Sequence, residues 1–275
     1  MRPPLMQVRL NAGFGKRPVL TNLEFDLCPG EALGLAGASG AGKTTLAMAL
    51  LGLLPWRGGE ASGEVLINGV NLLALPAAEA RRLRGNVIAL VPQSPMTALN
   101  PALSLGAHFQ AAWRAHASAG RADFDLRLRE LLDEVPLPAE DAGFLRRKPP
   151  QISVGQAQRV LIALALLHHP GILIADEPTS ALDPVTQAEI VRLLRQLTRD
   201  RGVGLLYISH DLMSVLQICH RIAVLDAGAI AETLPAAQLP LARHPATLSL
   251  IGALPVPVAT LLAHAGCSNL AATLR

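Results

Sequence analysis

The hydrophobic positions of the chain are grouped in short uninterrupted runs, with longer amphipathic stretches between them. Apolar runs of this length are typical of strands buried on both faces of a sheet. We place such strands at residues 32–36, 86–91, 172–175 and 203–208. Helical periodicity predicts helices at residues 45–51, 155–168 and 184–200. Strands that alternate with helices imply a mainly parallel sheet covered on both faces.

Two regions depart from this alternation. Residues 6–36 contain short strands separated by turns, and residues 62–69 form a further strand that ends in an Asn-Gly turn. From residue 97 to 158 charged and apolar residues recur at helical spacing, which predicts an inserted helical subdomain. We therefore predict one α/β domain over residues 1–235 that contains this insertion, and a short C-terminal extension over residues 236–275.

Composition limits the possible functions. The 275 residues are 51% hydrophobic but only 3% aromatic, so aliphatic side chains have to build the core. The net charge of +3 is small and both signs are intermixed, which gives no basis for a nucleic-acid-binding surface. Three scattered cysteines favour a reducing, cytosolic compartment. Neither a signal peptide nor an apolar run of about 18 residues is recognisable, so we expect any work at a membrane to require docking to another chain.

Between the first buried strand and the first helix, residues 37–45 match the phosphate-binding pattern G-x-x-x-x-G-K-[ST]. Glycines allow the backbone to curl so that its N–H groups converge on phosphate oxygens, and the helix N-terminus that follows favours an anion. We expect Lys43 to place its ammonium on the outer phosphates and Thr44 to offer its hydroxyl to Mg²⁺. The nine residues of this phosphate loop are Gly37, Ala38, Ser39, Gly40, Ala41, Gly42, Lys43, Thr44 and Thr45.

Two acids follow the strand at residues 172–175. A carboxylate at the carboxyl end of a strand lies where an open α/β sheet binds its ligands. Because a phosphate loop precedes it, we expect Asp176 to hold Mg²⁺ through water and Glu177 to polarise the water that attacks the terminal phosphate. A little further on, Asp183 followed by Pro184 predicts the start of the helix at residues 184–200.

Two longer segments carry a family resemblance. The run QISVGQAQR at residues 151–159 and the run ADEPTSALD at residues 175–183 resemble the ATP-binding cassette (ABC) ATPases, whose motifs occur in order over roughly residues 5–235. The resemblance implies an α/β P-loop NTPase fold with a mainly parallel core sheet, an N-terminal antiparallel β subdomain and an inserted helical subdomain. It also implies ATP and Mg²⁺ as ligands.

The resemblance assigns further site residues one by one. Gln93 matches the Q-loop glutamine, which would contact Mg²⁺ and the attacking water and whose loop would touch a transmembrane partner. Asp183 matches the D-loop, and His210 matches the switch histidine that contacts the γ-phosphate. Phe14 lies where the family stacks an aromatic ring on adenine, with ordinary core packing as the alternative. On this basis the catalytic set consists of Lys43, Gln93, Glu177 and His210.

In this family two cassettes pack head to tail, and each ATP lies between the phosphate loop of one subunit and the signature helix of the other. Ser153, Gly155 and Gln156 match that signature, and the serine would cap the helix so that its N–H groups face the γ-phosphate. Val154 departs from the family's usual glycine and adds a branched side chain beside the phosphate. The expected partner is a second cassette, in a heterodimer or a homodimer. In a heterodimer we expect the site completed by this signature to be the slower one.

A narrower resemblance concerns the class of transporter. The segments VPQSPMTALNP at residues 91–101 and RHPATLSL at residues 243–250 are similar to the peptide/nickel branch of the importers. This implies a peripheral ATPase at the cytoplasmic face of the bacterial inner membrane, bound to permease subunits and indirectly served by a substrate-binding protein. Cys267 is the single cysteine near the C-terminus, which argues against an iron–sulfur cluster and favours the shorter nickel or metallophore members.

Two other functions remain open from the sequence. One is an ABC-type ATPase that acts on nucleic acid or ribosomes, although such proteins usually carry two cassettes or long coiled-coil insertions. The other is a non-hydrolysing nucleotide-binding or regulatory subunit, which Val154 weakly favours and which Glu177 and His210 argue against. The cargo itself has no signature in this chain.

Overall fold

The computed structural model describes residues 3–116, 121–138, 141 and 143–254, so Cys267 and the later part of the predicted extension lie outside the described residues. The described residues form two sheets. Their strands are β1 (Met6–Phe14), β2 (Arg17–Leu27), β3 (Ala32–Ala36), β4 (Glu60–Ile67), β5 (Val70–Asn71), β6 (Ile88–Val91), β7 (Ile172–Asp176), β8 (Gly204–Ser209), β9 (Arg221–Asp226) and β10 (Ala229–Pro235).

The larger sheet has the strand order β10-β9-β3-β8-β7-β6. Its neighbouring strands are parallel except for the antiparallel pair β9 and β10. β3, β7 and β8 are buried along their whole length, which is why they stand out as unbroken apolar runs in the sequence. The smaller sheet is antiparallel, with the order β2-β1-β4-β5. The predicted fold class, a mainly parallel core sheet with an antiparallel β region before it, is confirmed.

Helices cover the larger sheet and fill the segment between β6 and β7. They are α1 (Lys43–Leu50), α2 (Ala77–Leu83), α3 (Pro95–Ala98), α4 (Leu105–Arg114), α5 (Arg121–Glu134), α6 (Val154–Leu166), α7 (Pro184–Arg201), α8 (Leu212–Ile218) and α9 (Pro245–Gly252). The side chain of Asp183 accepts hydrogen bonds from the first turn of α7, as its sequence position predicts. Ile190 and Leu194 of α7 are fully buried, so the apolar stripe of that helix faces the core.

A buried ionic cluster joins α5 to the ends of α6 and α7. The Arg127 guanidinium donates to the main-chain oxygens of Leu166 and Leu167, at 2.7 and 3.0 Å. Arg127 also pairs with Glu134 at 3.8 Å, and Glu134 pairs with Arg201 in the last turn of α7. A cation at a helix C-terminus is favoured by the exposed carbonyls there. The cluster therefore fixes the helical region onto α6 and α7, while the subdomain boundaries at residues 97 and 158 and the domain end at 235 stay predictions.

The structure adds elements that the sequence pattern did not define. β9 and β10 form a hairpin, and both turn residues, Ala227 and Gly228, have positive φ angles (44° and 82°). The apolar run at residues 222–225 followed by this turn is the signal that could have identified the hairpin. β1 and β2 are also longer than their apolar runs, because cross-strand pairing continues to their shared turn. Among the described residues, no helix is both long and apolar enough to cross a membrane.

Candidate active site

The phosphate loop connects β3 to α1 and has the backbone that its glycines allow. Gly40 and Gly42 have φ angles of 83° and 106°, in a region that residues other than glycine rarely adopt. Gly42 is the N-cap of α1, so the first N–H groups of that helix point toward the loop. The buried Lys43 folds back into the loop, and its Nζ donates to the main-chain oxygens of Gly37 and Ala38 at 2.9 and 3.1 Å.

Asp176 is the last residue of β7 and is buried. Burial raises the pKa of its carboxyl, and a hydrogen bond from the Thr44 hydroxyl opposes that rise. Its Oδ1 atom is buried and has no hydrogen-bond partner among the residues that the structure describes. A buried carboxylate oxygen without a partner, next to a threonine hydroxyl, is a donor set of the kind that Mg²⁺ prefers. Asp176 and Thr44 therefore fit the metal that the sequence predicts.

Glu177 follows Asp176 and is held from two sides. Its Oε1 accepts the main-chain N–H of His210 at 3.1 Å, and its Oε2 lies 2.7 Å from Nδ1 of the His210 ring. The same Oε1 lies 3.8 Å from Nζ of Lys43. The buried carboxylate thus joins the phosphate loop to the histidine, whose own side chain remains 54% exposed.

The backbone of Glu177 has a φ angle of 48°, in the left-handed region. Residues other than glycine hold this conformation only where the surrounding structure compensates for it, which is frequent at functional sites. The main-chain N–H of Glu177 donates to the carbonyl of Ile208 at 2.9 Å, and its carbonyl accepts from the Ser180 hydroxyl at 3.1 Å. These bonds turn the chain sharply after β7 and aim the Glu177 side chain at His210.

The order of strands in the sheet explains why these residues meet. β3, β8, β7 and β6 are neighbours in that order and run parallel, so their carboxyl ends share one edge. The phosphate loop follows β3, His210 follows β8, and the two acids end β7. Gln93 follows β6 and is exposed. The edge of a parallel sheet thus assembles the predicted catalytic set from segments far apart in the sequence.

The remaining predicted residues lie in two other places. Phe14 ends β1 in the smaller sheet, where its ring is 37% exposed and packs close to Gly59. Ser153 caps α6 by accepting the N–H of Gln156 at 3.2 Å, and the Gln156 side chain accepts the N–H of Ser153 at 3.1 Å. This reciprocal pair is a capping box, so the side-chain oxygen of Gln156 is engaged within its own helix.

The first turn of α6 rests on the first turn of α7. A Cβ atom added to Gly155 would lie 2.5 Å from Cγ2 of Thr186. The Thr186 hydroxyl in turn donates to Oδ2 of Asp183 at 2.7 Å, and the main-chain N–H of Thr186 donates to Oδ1 at 3.0 Å. The structure thus groups the signature residues with Asp183. The sequence pattern did not identify Thr186. Its position three residues after the N-cap Asp183 is the signal that could have identified it.

A strand-to-helix loop of converging amides beside a buried acid pair is the arrangement that defines the P-loop class of nucleotide-binding α/β proteins. The comparison with known families narrows this class. The model of the ABC transporter family matches residues 20–180, more than half of the chain. The chain belongs to this family and contains its ATP-binding domain.

Curated relatives have names that refer to import or transport. The chain is 37% identical over 247 residues to the glutathione import ATP-binding protein GsiA of Escherichia coli O157:H7, covering 87% of this chain and 40% of that protein. It is 39% identical over 236 residues to the peptidoglycan transport ATP-binding protein YejF of Agrobacterium fabrum, covering 84% of this chain and 43% of that protein. The chain therefore spans less than half the length of the curated relatives it matches.

Solved structures show the same fold. The ATP-binding subunit of an ABC transporter superposes with a TM-score of 0.71 at 26% identity, over 95% of this chain and 99% of that chain. The cassette MJ0796, solved as a dimer in a post-hydrolysis state with ADP and Pi, superposes with a TM-score of 0.70 at 27% identity, over 84% of this chain and 98% of that chain.

Proposed function

We propose that this chain is the ATP-hydrolysing subunit of an ABC importer for peptides, nickel or metal chelates. The observation that carries the hydrolytic part is the position of Glu177, which lies between the His210 ring and the Lys43 ammonium at the edge beside the phosphate loop. A carboxylate fixed next to a triphosphate cradle can orient and polarise water. This arrangement argues against the alternative of a non-hydrolysing subunit.

The residues divide the reaction between them. Hydrolysis forms a bond from the water oxygen to the γ-phosphorus and breaks the bond to the β-phosphate oxygen, giving ADP and inorganic phosphate. The main-chain amides of the phosphate loop and Lys43 hold the phosphates and offset their charge, Glu177 orients the water, and His210 fixes Glu177. When bound at Asp176, Thr44 and Gln93, Mg²⁺ would supply further charge neutralisation on the phosphate oxygens. Phe14 would stack on the adenine.

A second cassette is part of the proposal. Ser153 caps α6 with its first N–H groups free of helical partners, which is the end that would face the γ-phosphate held by the other subunit. Gly155 and Gln156 maintain the geometry of this first turn of α6. Thr186 packs against Gly155 and bonds to Asp183, so Asp183 lies close to the same turn. The dimeric MJ0796 cassette supports such a pairing. The other subunit is either a related cassette or a second copy of this chain.

A groove of about 900 Å³ supports docking of a permease subunit. It lies between the end of α1 and α2, and leucines such as Leu53 and Leu73 line it together with Trp56 and Arg81. The Trp56 side chain is 82% exposed, which is unusual for the largest apolar residue. Because α2 leads into the amino end of β6 and Gln93 follows the carboxyl end of that short strand, a permease helix seated here would be connected to Gln93 through β6.

The proposed cargo and location are supported by the relatives and by the importer-like segments at residues 91–101 and 243–250. Relatives named for glutathione import and peptidoglycan transport favour a peptide-like cargo. Nickel or a metal chelate remains a second proposed cargo, on the basis of the sequence resemblance. The proposed place of work is the cytoplasmic face of a bacterial inner membrane, through permease subunits that receive cargo from a substrate-binding protein. An ATPase acting on nucleic acid or ribosomes has no comparable support, since no nucleic-acid partner is expected from the surface charge.

The hydrolytic role is tested by Glu177→Gln, which keeps the shape of the side chain but removes its charge. We expect steady-state ATP hydrolysis to fall by about 10²-fold or more while ATP binding persists, because general-base catalysis is lost and the phosphate loop is intact. The expected consequence is an ATP-bound dimer that persists in size-exclusion chromatography. Glu64→Gln is the matched control, because Glu64 is exposed and lies on β4 of the smaller sheet, whereas the phosphate loop follows a strand of the larger sheet.

A second control, Lys43→Ala, removes the charge that the loop places on the phosphates and should abolish nucleotide retention. If Glu177→Gln hydrolyses ATP at the rate of the unaltered chain and forms no persistent dimer, the role assigned to Glu177 is wrong. If the unaltered chain neither retains nucleotide nor releases phosphate when paired with its partner cassette, the proposed function itself is wrong.

A further inference from the structure

His210 lies between two residues that are tied to each other and to neighbouring helices. The N–H of Asp211 donates to the Ser209 hydroxyl at 3.0 Å. Asp211 is also the N-cap of α8, because its Oδ1 accepts the N–H of Met213 at 2.9 Å and its Oδ2 accepts the N–H of Ser214 at 3.3 Å. Asp211 therefore connects the segment that carries His210 to the start of α8, in addition to the bond from the main-chain N–H of His210 to Glu177.

A third bond to Asp211 comes from a different helix. Nε2 of Gln187, in the first turn of α7, donates to Oδ2 of Asp211 at 2.9 Å. This bond is shorter than the capping bond from Ser214 to the same oxygen. The cap of α8 is already provided within α8, so the Gln187 amide is not needed to start that helix. Its effect is to tie α8, and with it His210, to α7.

The other end of this connection is Asp183. The main-chain N–H of Gln187 donates to the carbonyl of Asp183 at 2.8 Å. The preceding residue, Thr186, packs against Gly155 in the first turn of α6. One helical turn of α7 therefore contacts Asp183, the signature helix and the segment that carries His210. All of these contacts lie within one chain and among half-buried or exposed residues.

We propose that Gln187 is a positioning residue for ATP hydrolysis. Its amide holds Asp211 so that the His210 ring stays against Glu177, and it links that geometry to the turn of α7 that supports Asp183 and the signature helix. Gln187 touches neither the nucleotide nor the water and acts through Asp211 and His210. The inference rests on the proposed hydrolytic function and adds to it a connection between the two ATP sites to which one chain contributes.

The variant Gln187→Glu tests the connection, because it replaces the amide donor with a carboxylate facing the Asp211 carboxylate. We expect kcat for ATP hydrolysis to fall about tenfold with KM for ATP little changed, since the phosphate loop is untouched. Gln196→Glu is the matched control: it makes the same chemical change on an exposed position of α7 and should leave kcat unchanged.

The double variant Gln187→Glu with Asp211→Asn restores the bond with donor and acceptor exchanged. The new amide at position 211 then donates to the new carboxylate at position 187, while its oxygen still accepts the N–H of Met213 and the longer bond from Ser214 is lost. We expect kcat to recover to within about threefold of the unaltered chain, which a general loss of helix stability would not produce. Thermal unfolding of each variant is measured in parallel, and the double variant remains informative even if Gln187→Glu alone does not fold.

Failure of this inference is distinguishable from failure of the proposed function. If the unaltered chain hydrolyses ATP and Gln187→Glu has the same kcat, Gln187 is not a positioning residue. The same conclusion follows if Gln187→Glu lowers kcat but the folded double variant does not recover. If the unaltered chain with its partner does not hydrolyse ATP, the proposed function is wrong and this inference is overturned with it.

Discussion

At the scale of single residues, Tyr207 shows how polar groups are kept in the core beside the site. It lies on β8, is fully buried, and its hydroxyl is 3.3 Å from the Thr179 hydroxyl, two residues after Glu177. Burial raises the pKa of Tyr207 to about 12, although hydrogen bonds with Ser214 and Thr179 oppose the rise. The neutral phenol therefore links β8 to the segment that turns after the acids.

Tyr207 is the single tyrosine of the chain, so its ionisation can be measured directly by tyrosinate absorbance. We expect a midpoint at about pH 12 in the folded protein and near the ordinary value of 10.0 in denaturant. Because the pKa of Tyr207 is raised in the folded state, the neutral phenol stabilises the folded protein. This contribution is fully present below about pH 10 and is lost as the pH rises toward 12. Tyr207→Phe should show no such absorbance change. A midpoint near 10 before unfolding would contradict the burial of the hydroxyl.

At the scale of elements, the contact between α6 and α7 gives Gly155 a reason to be glycine that does not involve phosphate. The Thr186 side chain cannot turn away from this position without losing the bond of its hydroxyl to Asp183. An added methyl group at Gly155 would therefore push the two helix starts apart. Further along, Arg159 of α6 forms an ion pair with Glu189 of α7, which is a second contact between the two helices.

The variant Gly155→Ala tests this contact. Although alanine is the better helix former by about 1 kcal/mol, we expect a net loss of about 1–3 kcal/mol in the free energy of unfolding, because overpacking outweighs propensity. Thr186→Ser removes Cγ2 and keeps the hydroxyl that bonds to Asp183, so it should restore stability when combined with Gly155→Ala. Chemical denaturation measures all three variants. No loss in Gly155→Ala, or no recovery in the pair, would show that the helices do not meet in this way.

The sequence predicted those parts of the site that are continuous in the chain. The phosphate loop, the acids after β7 and the helix cap at Asp183 need given residue types at fixed spacing, so their chemistry can be recognised before the fold is known. The contacts of Gln187 with Asp211 and of Arg127 with Leu166 span 24 and 39 positions. They depend on how helices approach one another, which periodicity does not encode. The left-handed backbone of Glu177 is likewise a product of its surroundings.

At the scale of the whole molecule, the proposed pairing of cassettes gives the chain two different parts in ATP binding. In the proposed dimer its own phosphate loop, acids and histidine would form one half of the first site, and its α6 N-terminus would complete the second. Val154 is the first residue of α6 and its side chain is 38% exposed, so it lies on the surface that would face a partner's phosphate. In a heterodimer we therefore expect the two sites to differ in rate, since a branched side chain would hold the phosphate away from the helix N-terminus.

The variant Val154→Gly tests that asymmetry. We expect faster hydrolysis at the site completed by this chain's signature, because the bare backbone lets the phosphate approach the free N–H groups of α6. Val70→Gly is a suitable control, since Val70 is an exposed valine on β5 away from the signature. Rates of hydrolysis and transport that match those of the unaltered chain would reject the hypothesis.

The ionic cluster of Arg127, Glu134 and Arg201 has a consequence for how the protein moves. It links the last turn of α6 through α5 to the last turn of α7, and the opposite ends of the same two helices are packed together at Gly155 and Thr186. Because α6 and α7 are held together at both ends, they cannot rotate relative to each other about either end. In the proposed dimer, Ser153 would therefore move together with Asp183, so that both residues approach the partner cassette at the same time.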